Sequence, residues 1–260
     1  MTAGPDSRPL VGRQILICRP AGQDRPLAEH LGSLGAEIFS YAGMTISPCE
    51  HSQETQQHLK HLLEYQWAVF VSANAVEFGL EAISKHGPWP AHLRCAAIGK
   101  ATAFRLEQAG RGPVIRPQGS EDSEGLLQTK AWKNLQGQRV LIFRGLGGRE
   151  TLANGLRAAG ALVDYAEVYQ RQAPKEDPGE LRTRVKSHQL SAICAMSSET
   201  LHNVIEAFGL ECFPSLCSIP WLVPHSKIAA VAREAGIQQV IESPGSELQA
   251  VSGALINFFR

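Results

Sequence analysis

Short runs of apolar, β-branched-rich residues alternate along this chain with stretches whose apolar positions recur every three or four residues. The first kind predicts buried strands and the second helices with one inward face. Residues 14–18 read as a strand, 21–34 as a helix with Leu27, Leu31 and Leu34 on one face, and 36–41 as a second strand that runs on through Gly43 to Pro48. Residues 55–65 predict an amphipathic helix with Leu59, Leu62 and Leu63 inward, and 67–71 a buried strand ending at Ser72-Ala73-Asn74. A helix over 76–84, a strand over 94–98, a turn at Gly99-Lys100-Ala101-Thr102 and a helix over 103–109 follow. A short strand over 113–116 then leads through Gly119-Ser120 to a helix around Leu126-Leu127.

The pattern repeats. Ile15 to Arg19 return 125 positions later as Val140 to Arg144, with Gly22 meeting Gly147, Leu31 meeting Leu156, and Gly35-Ala36 meeting Gly160-Ala161. The middle section repeats as well: Ser72 meets Ser197, Ile98 meets Val223, and, with one residue inserted, Gly119-Ser120 meet Gly245-Ser246. The order is A, B, A′, B′, an α/β chain with two small doubly wound parallel sheets. Repetition alone leaves open whether A shares a sheet with B or with B′. The polar segments 41–48 and 165–174 have the extended character of a crossover ladder.

At 260 residues and 43% hydrophobic content, the chain has room for two cores. It contains no apolar run near the roughly 18 to 20 residues that cross a bilayer, and MTAGPDSRPL is not a secretory leader pattern, so a cytoplasmic protein is expected. Six cysteines without a C-x-x-C pair read as reduced and structural. His58 and His61 lack a third ligand nearby and read as a solvated helix face, so no metal site is expected. Lysine plus arginine equal aspartate plus glutamate at 25 each, which gives no general field for nucleic acid. An anion must be met by a local cluster.

In an open parallel sheet such a cluster belongs beyond the carboxyl ends of the strands. Arg19, Arg144, Gly145 and Arg149 follow the A and A′ strands; Ser72, Asn74, Lys100 and Thr102, with Ser197, Ser198, Ser226 and Lys227, follow the B and B′ strands. N-capping accounts for a serine or threonine taken singly. The repeated combination of hydroxyl, glycine and cation suits carboxylate or phosphate groups. Glu150 breaks the G-x-G-x-x-G pattern, and neither a phosphate-loop signature nor a G-x-S-x-G elbow occurs, which leaves a cofactor-free site for a polyanion.

Taken together, Arg19-Pro20 with Leu27 to Gly35, Phe70-Val71-Ser72-Ala73-Asn74-Ala75-Val76, Ala97 to Ala103, Arg144-Gly145 with Gly148-Arg149-Glu150, and Val168-Tyr169-Gln170-Arg171 resemble the uroporphyrinogen-III synthase family over nearly the whole chain. His225-Ser226-Lys227 stands where many relatives have a threonine-rich turn, and Met196 where they have an aromatic or hydroxyl residue. The resemblance implies two flavodoxin-like lobes, one from 1–41 and 172–260 and one from 49–165, joined by an antiparallel ladder of 42–48 and 166–171. It implies cyclisation of hydroxymethylbilane to uroporphyrinogen III with inversion of ring D, without metal or organic cofactor; a monomer is expected. The residues alone also allow Tyr169 to be an aromatic that plugs the lobe junction, and the resemblance favours a phenol facing the cleft that donates to the departing hydroxyl. Strand alternation places Tyr169 and Val168 on opposite faces. The rival reading is a bilobal module that binds a tetrapyrrole without converting it.

Overall fold

A computed structural model describes residues 8–50, 52–132 and 134–260. In chain order its elements begin with β1 (Gln14–Cys18), α1 (Arg25–Ser33), β2 (Glu37–Ser40), β3 (Thr45–Pro48), α2 (Gln53–Lys60) and β4 (Trp67–Phe70). Next come α3 (Ala73–Ser84), β5 (Arg94–Ala97), α4 (Lys100–Gln108), β6 (Val114–Ile115), α5 (Ser123–Leu127) and β7 (Arg139–Gly145). The remainder is α6 (Thr151–Ala158), β8 (Leu162–Gln172), α7 (Glu180–Lys186), β9 (Ala192–Ala195), α8 (Ser198–Phe208), α9 (Phe213–Ser218), β10 (Trp221–Pro224), α10 (His225–Glu234), β11 (Val240–Ser243) and α11 (Leu248–Phe259).

Two sheets form among the described residues, in strand order β11-β10-β9-β1-β2 and β3-β8-β7-β4-β5-β6. The opening pair β1 and β2 therefore shares a sheet with the late strands β9 to β11, and β7 and β8 with β4 to β6. That is the pairing of A with B′, and B with A′, that the resemblance implied. Strands β1, β2, β9, β10 and β11 pair in parallel, and so do β4 to β8, as in Ile15↔Ala192 and Trp67↔Val140. β3 lies at the edge beside β8. By compactness the chain divides into a first unit, Met1–Ile46 with Gln172–Arg260, and a second, Ser47–Arg171. The segments read as a ladder are thus shared out, 42–46 to the first unit and 47–48 with 166–171 to the second.

Each core follows from the sequence pattern. β4, β9 and β10 are buried at every position because helices cover both faces of a parallel sheet. In the first unit Leu27 and Leu31 of α1 pack with Ile15 and Ile17, while Val204 and Phe208 of α8 pack with Leu16 and Trp221 on the other side. In the second, Leu152 and Leu156 of α6 pack with Val140, Ile142 and Trp67. Five of the six cysteines are buried, and Cys49 is half-buried.

Several element boundaries differ from expectation. Gly22 takes φ +77°, and α1 begins only at Arg25, where Pro26 fits the first turn because its missing N–H is not needed there. The expected helix over 55–65 ends at Lys60, and the tighter 3-10 turn Leu62–Glu64 rotates Leu63 outward, leaving it 72% exposed while Leu59 and Leu62 stay buried. α4 begins directly at Lys100, so Lys100 and Thr102 are residues of its first turn and not of a loop. Thr102 is buried. Likewise α3 begins at Ala73 and takes in Asn74.

Candidate active site

In the second unit the strand order turns back between β7 and β4, the place where an open parallel sheet leaves a crevice at its carboxyl edge. A cavity of 470 Å³ lies there. Val71 and Ile98, just past β4 and β5, form part of its wall with Leu152. The loop Arg144 to Arg149, with Tyr169 and Arg171 from β8, supplies the rest of its polar character, together with Glu121 and Asp122. Arg144, Gly145, Arg149 and Tyr169 thus line one cavity. A larger hollow of 660 Å³ beside β6 is lined by Gly119 and Ser120, one of the glycine and hydroxyl pairs at the strand ends, and by none of the expected cations.

Tyr169 reaches this place through an irregularity in the β7·β8 ladder. Arg144 pairs with Glu167 but Gly145 pairs with Tyr169, so Val168 is an extra residue on β8. A bulge of this kind suspends strict alternation. Val168 and Tyr169 are both buried. The Tyr169 ring stacks on Phe78 of α3 with centroids 6.0 Å apart and 28° between planes. Its hydroxyl lies 3.1 Å from Ser72 Oγ and accepts from Arg171 Nη2 at 3.5 Å.

Ser72 has two roles. Its Oγ accepts the Ala75 backbone N–H at 3.0 Å, capping α3, and the same oxygen meets the Tyr169 hydroxyl. Ser197 is its counterpart in the first unit, accepting the Thr200 N–H at 3.1 Å and donating to Thr200 Oγ1 at 2.9 Å. Ser197 thus caps α8, and Ser198 is the first residue of that helix. Ser226 and Lys227 stand exposed in the first turn of α10, behind His225 at φ +64°.

Arg144 is not an open cation. Its Nε and Nη2 donate to Glu167 Oε1 at 3.2 and 3.0 Å, and its Nη1 donates to the Gly148 carbonyl at 3.1 Å and Glu150 Oε1 at 2.8 Å. The guanidinium also lies 3.6 Å from the Tyr165 ring centroid. Burial works against this charge, and the bonds from Glu150 and Glu167 outweigh it, raising the pKa above the ordinary arginine value. Arg144 thus organises the loop that carries Gly145 and Arg149. Arg149 is exposed on that loop.

Arg19 is likewise committed locally: Nη2 donates to the Ser246 carbonyl at 2.9 Å, tying the end of β1 to the loop after β11. Its Nε is buried and without a hydrogen-bond partner, and burial lowers the pKa of the group. At Lys100 the chain supplies an anion of its own. Glu121 Oε2 accepts the Lys100 backbone N–H at 3.0 Å, and Oε1 lies 3.6 Å from the lysine ammonium.

Glu121, Phe78 and Arg171 are the residues that the candidate set lacked. Glu121 carries a signal in the repeat, since Gly119-Ser120-Glu121 returns as Gly245-Ser246-Glu247. Phe78 has none, because an aromatic on an apolar helix face reads as core. His58, expected on a solvated face, is instead mostly buried and bonded through Nδ1 to the Tyr65 hydroxyl at 2.7 Å. Among the described residues no group of three histidine, cysteine or acidic side chains could hold a metal, and no helix is long and apolar enough to cross a membrane.

Comparison with known proteins agrees with the two-unit architecture. The chain is 30% identical over 245 residues to the uroporphyrinogen-III synthase of Escherichia coli (strain K12), covering 93% of this chain and 99% of that one. It is 31% identical over 245 residues, with the same coverage, to that of Salmonella typhimurium. Two solved structures share the fold. One is a mutant uroporphyrinogen III synthase from Thermus thermophilus, at TM-score 0.61 and 15% identity over 95% of this chain and 97% of that one. The other is the uroporphyrinogen-III synthetase of Helicobacter pylori 26695, at TM-score 0.60 and 12% identity over 95% and 99%. The family described as uroporphyrinogen-III synthase HemD matches residues 25–252, and the chain belongs to it.

Proposed function

We propose that this chain cyclises hydroxymethylbilane to uroporphyrinogen III with inversion of ring D, acting as a monomer in the cytoplasm. The observation that carries the reading is a buried phenol, Tyr169, aimed at a cation-bearing cavity on the carboxyl edge of a parallel sheet. A protein that only held a tetrapyrrole would need no proton donor there.

The substrate must lose its hydroxyl, bend, and close at the far ring. In this reading Tyr169 Oη gives its proton to the departing hydroxyl, the carbon–oxygen bond breaks, and water leaves an azafulvenium cation behind. That cation is attacked by the substituted carbon of ring D, giving a spiro intermediate that fragments and recloses at the unsubstituted carbon. The proton lost from this last carbon restores the phenol. The balance is loss of one water with no change of oxidation state, so the sequence of steps calls for neither oxidant nor reductant.

A phenol hydroxyl can donate a hydrogen bond and suits the role. Ser72 and Arg171 hold its oxygen in place. In the second unit the substrate carboxylates would be met by the exposed cations Arg149 and Arg171 and by amides of the loop around Gly145. Arg144 builds the loop around Gly145, while Arg19 ties the end of β1 to the loop after β11 and Ser197 caps α8. The decisive orientation problem is bending the bilane, which otherwise closes head to tail in water.

The test is isomer analysis of the product formed from freshly generated hydroxymethylbilane. Uroporphyrinogen III in excess over the spontaneous isomer supports the proposal. Binding with no acceleration and only the uninverted isomer sinks it and returns the chain to a binding module.

A further inference from the structure

Gly145 entered the candidate site as a backbone contact for substrate, yet its surroundings give another reason for a glycine. A Cβ placed on it would lie 2.7 Å from Tyr169 Cε2, 2.8 Å from Cζ and 3.2 Å from Oη. No real side-chain carbon tolerates the first two distances. The backbone at Gly145 does not itself require glycine, for its φ is outside the left-handed region, whereas Gly147 on the same loop takes φ +72°. The missing methyl is therefore space for the phenol.

That space has rigid walls. Phe78 stacks on the Tyr169 ring, Ser72 stands at its hydroxyl, and the Leu146 N–H donates to the Tyr169 carbonyl at 2.9 Å, bracing the backbone next to the glycine. The extra residue Val168 brings Tyr169 opposite Gly145 in the ladder. Without that one-residue shift, the partner of Gly145 would be Val168, continuing the register of Arg144 with Glu167.

We propose that Gly145 is the seat of the catalytic phenol: a positioning residue that, with the bulge at Val168, sets where the Tyr169 hydroxyl sits over the cavity. This rests on the role given to Tyr169 above. A methyl at position 145 must move the ring or the strand end, and a displacement of about 1 Å at a reacting group can cost about 10²-fold in rate. Substrate binding, which draws on many other groups, should change little.

The experiment compares Gly145→Ala, Tyr169→Phe and the double variant, using kcat and KM for hydroxymethylbilane together with the ¹⁹F spectrum of fluorotyrosine-labelled protein. The Tyr169 resonance is assigned by its loss in Tyr169→Phe. Gly145→Ala should lower kcat more than about tenfold with KM within about twofold, and the double variant should be no slower than Tyr169→Phe alone, as for two residues acting as a unit. The Tyr169 resonance should shift while those of the other tyrosines stay. A raised KM with kcat retained, multiplying losses in the double variant, or an unmoved resonance would each overturn the proposal. Should Gly145→Ala fail to fold, Phe78→Ala opens the opposite wall and must move the same resonance and lower kcat; a silent Phe78→Ala also overturns it. Full turnover in Tyr169→Phe removes the role of the phenol, whereas an unmoved resonance in Gly145→Ala removes the seat, so the two failures are distinguishable.

Discussion

Glu121 lays its carboxylate on the backbone amide of Lys100 at 3.0 Å, filling the start of α4 with an anion from the chain itself. A carboxylate there interacts favourably with the helix dipole, by about 0.3–1 kcal/mol at an exposed position. Any substrate carboxylate drawn to the same amide and to the Lys100 ammonium must first displace it. Glu121→Ala is therefore expected to lower KM by about two- to fivefold, the factor to which that energy corresponds, with kcat unchanged. Steady-state kinetics decide: a higher KM would mean that Glu121 orients the substrate.

Lys100 and Arg144 both looked like open cations in the sequence, and neither is. The reason is distance along the chain. Glu121 lies 21 residues beyond Lys100 and Glu167 lies 23 beyond Arg144, so each pair meets only when the sheet has formed. The fold itself was legible because the 125-residue repeat and its continuous apolar strands fix the elements, and the resemblance supplied their pairing. The bulge at Val168 was not, since nothing in Glu167-Val168-Tyr169 departs from ordinary strand composition. Thr102 was misplaced for a related reason: Gly99 reads as the centre of a turn, but it is the residue from which α4 starts.

Arg144→Ala should act first on stability. It would strip Glu167 of its two guanidinium bonds in a largely enclosed position, Arg144 being only 11% and Glu167 27% exposed in their side chains. Removing one partner of such a pair costs about 3 kcal/mol. The urea midpoint of the second unit should fall accordingly, and the loop Gly145–Gly148 should become more open to protease. A Lys100→Ala variant, whose ion pair is exposed, should leave the stability of that unit unchanged within about 0.5 kcal/mol.

At the opposite, amino-terminal ends of the same strands, Asp164 joins Arg139 and Tyr65. Its Oδ2 accepts from Arg139 Nη2 at 2.9 Å and from the Tyr65 hydroxyl at 2.7 Å. Burial raises the Asp164 pKa, but the Arg139 and Tyr65 bonds prevail and hold it below the usual aspartate value. A carboxyl whose folded pKa is depressed stabilises the fold above its unfolded pKa of about 3.9, and that contribution is lost as pH falls through the folded value. Asp164→Asn should lower stability at neutral pH and flatten the acid limb of the stability profile below about pH 4. Denaturant titrations at a series of pH values would show it, and parallel profiles for the two proteins would refute it.

Tyr169→Phe deletes one oxygen while keeping the ring between Phe78 and Gly145. Stability should hold or drop only slightly, because Ser72 keeps its bond from Ala75 and loses only the phenol at 3.1 Å. A neutral hydrogen bond of that kind is worth about 1 kcal/mol. Turnover is a different matter: a positioned general acid typically contributes about 10²- to 10⁴-fold, so kcat should fall well beyond tenfold. It should not fall to zero, since the hydroxyl departs readily from an electron-rich pyrrole. The residual product should still be the inverted isomer, because the bend in the bilane depends on the whole set of loop amides and cations and not on one phenol. Rate and isomer ratio measured together separate three cases. Slow formation of inverted product fits the acid; normal turnover makes the phenol a packing group; and a change to uninverted product makes it a determinant of ring orientation, which would move the control of the bend to the end of β8.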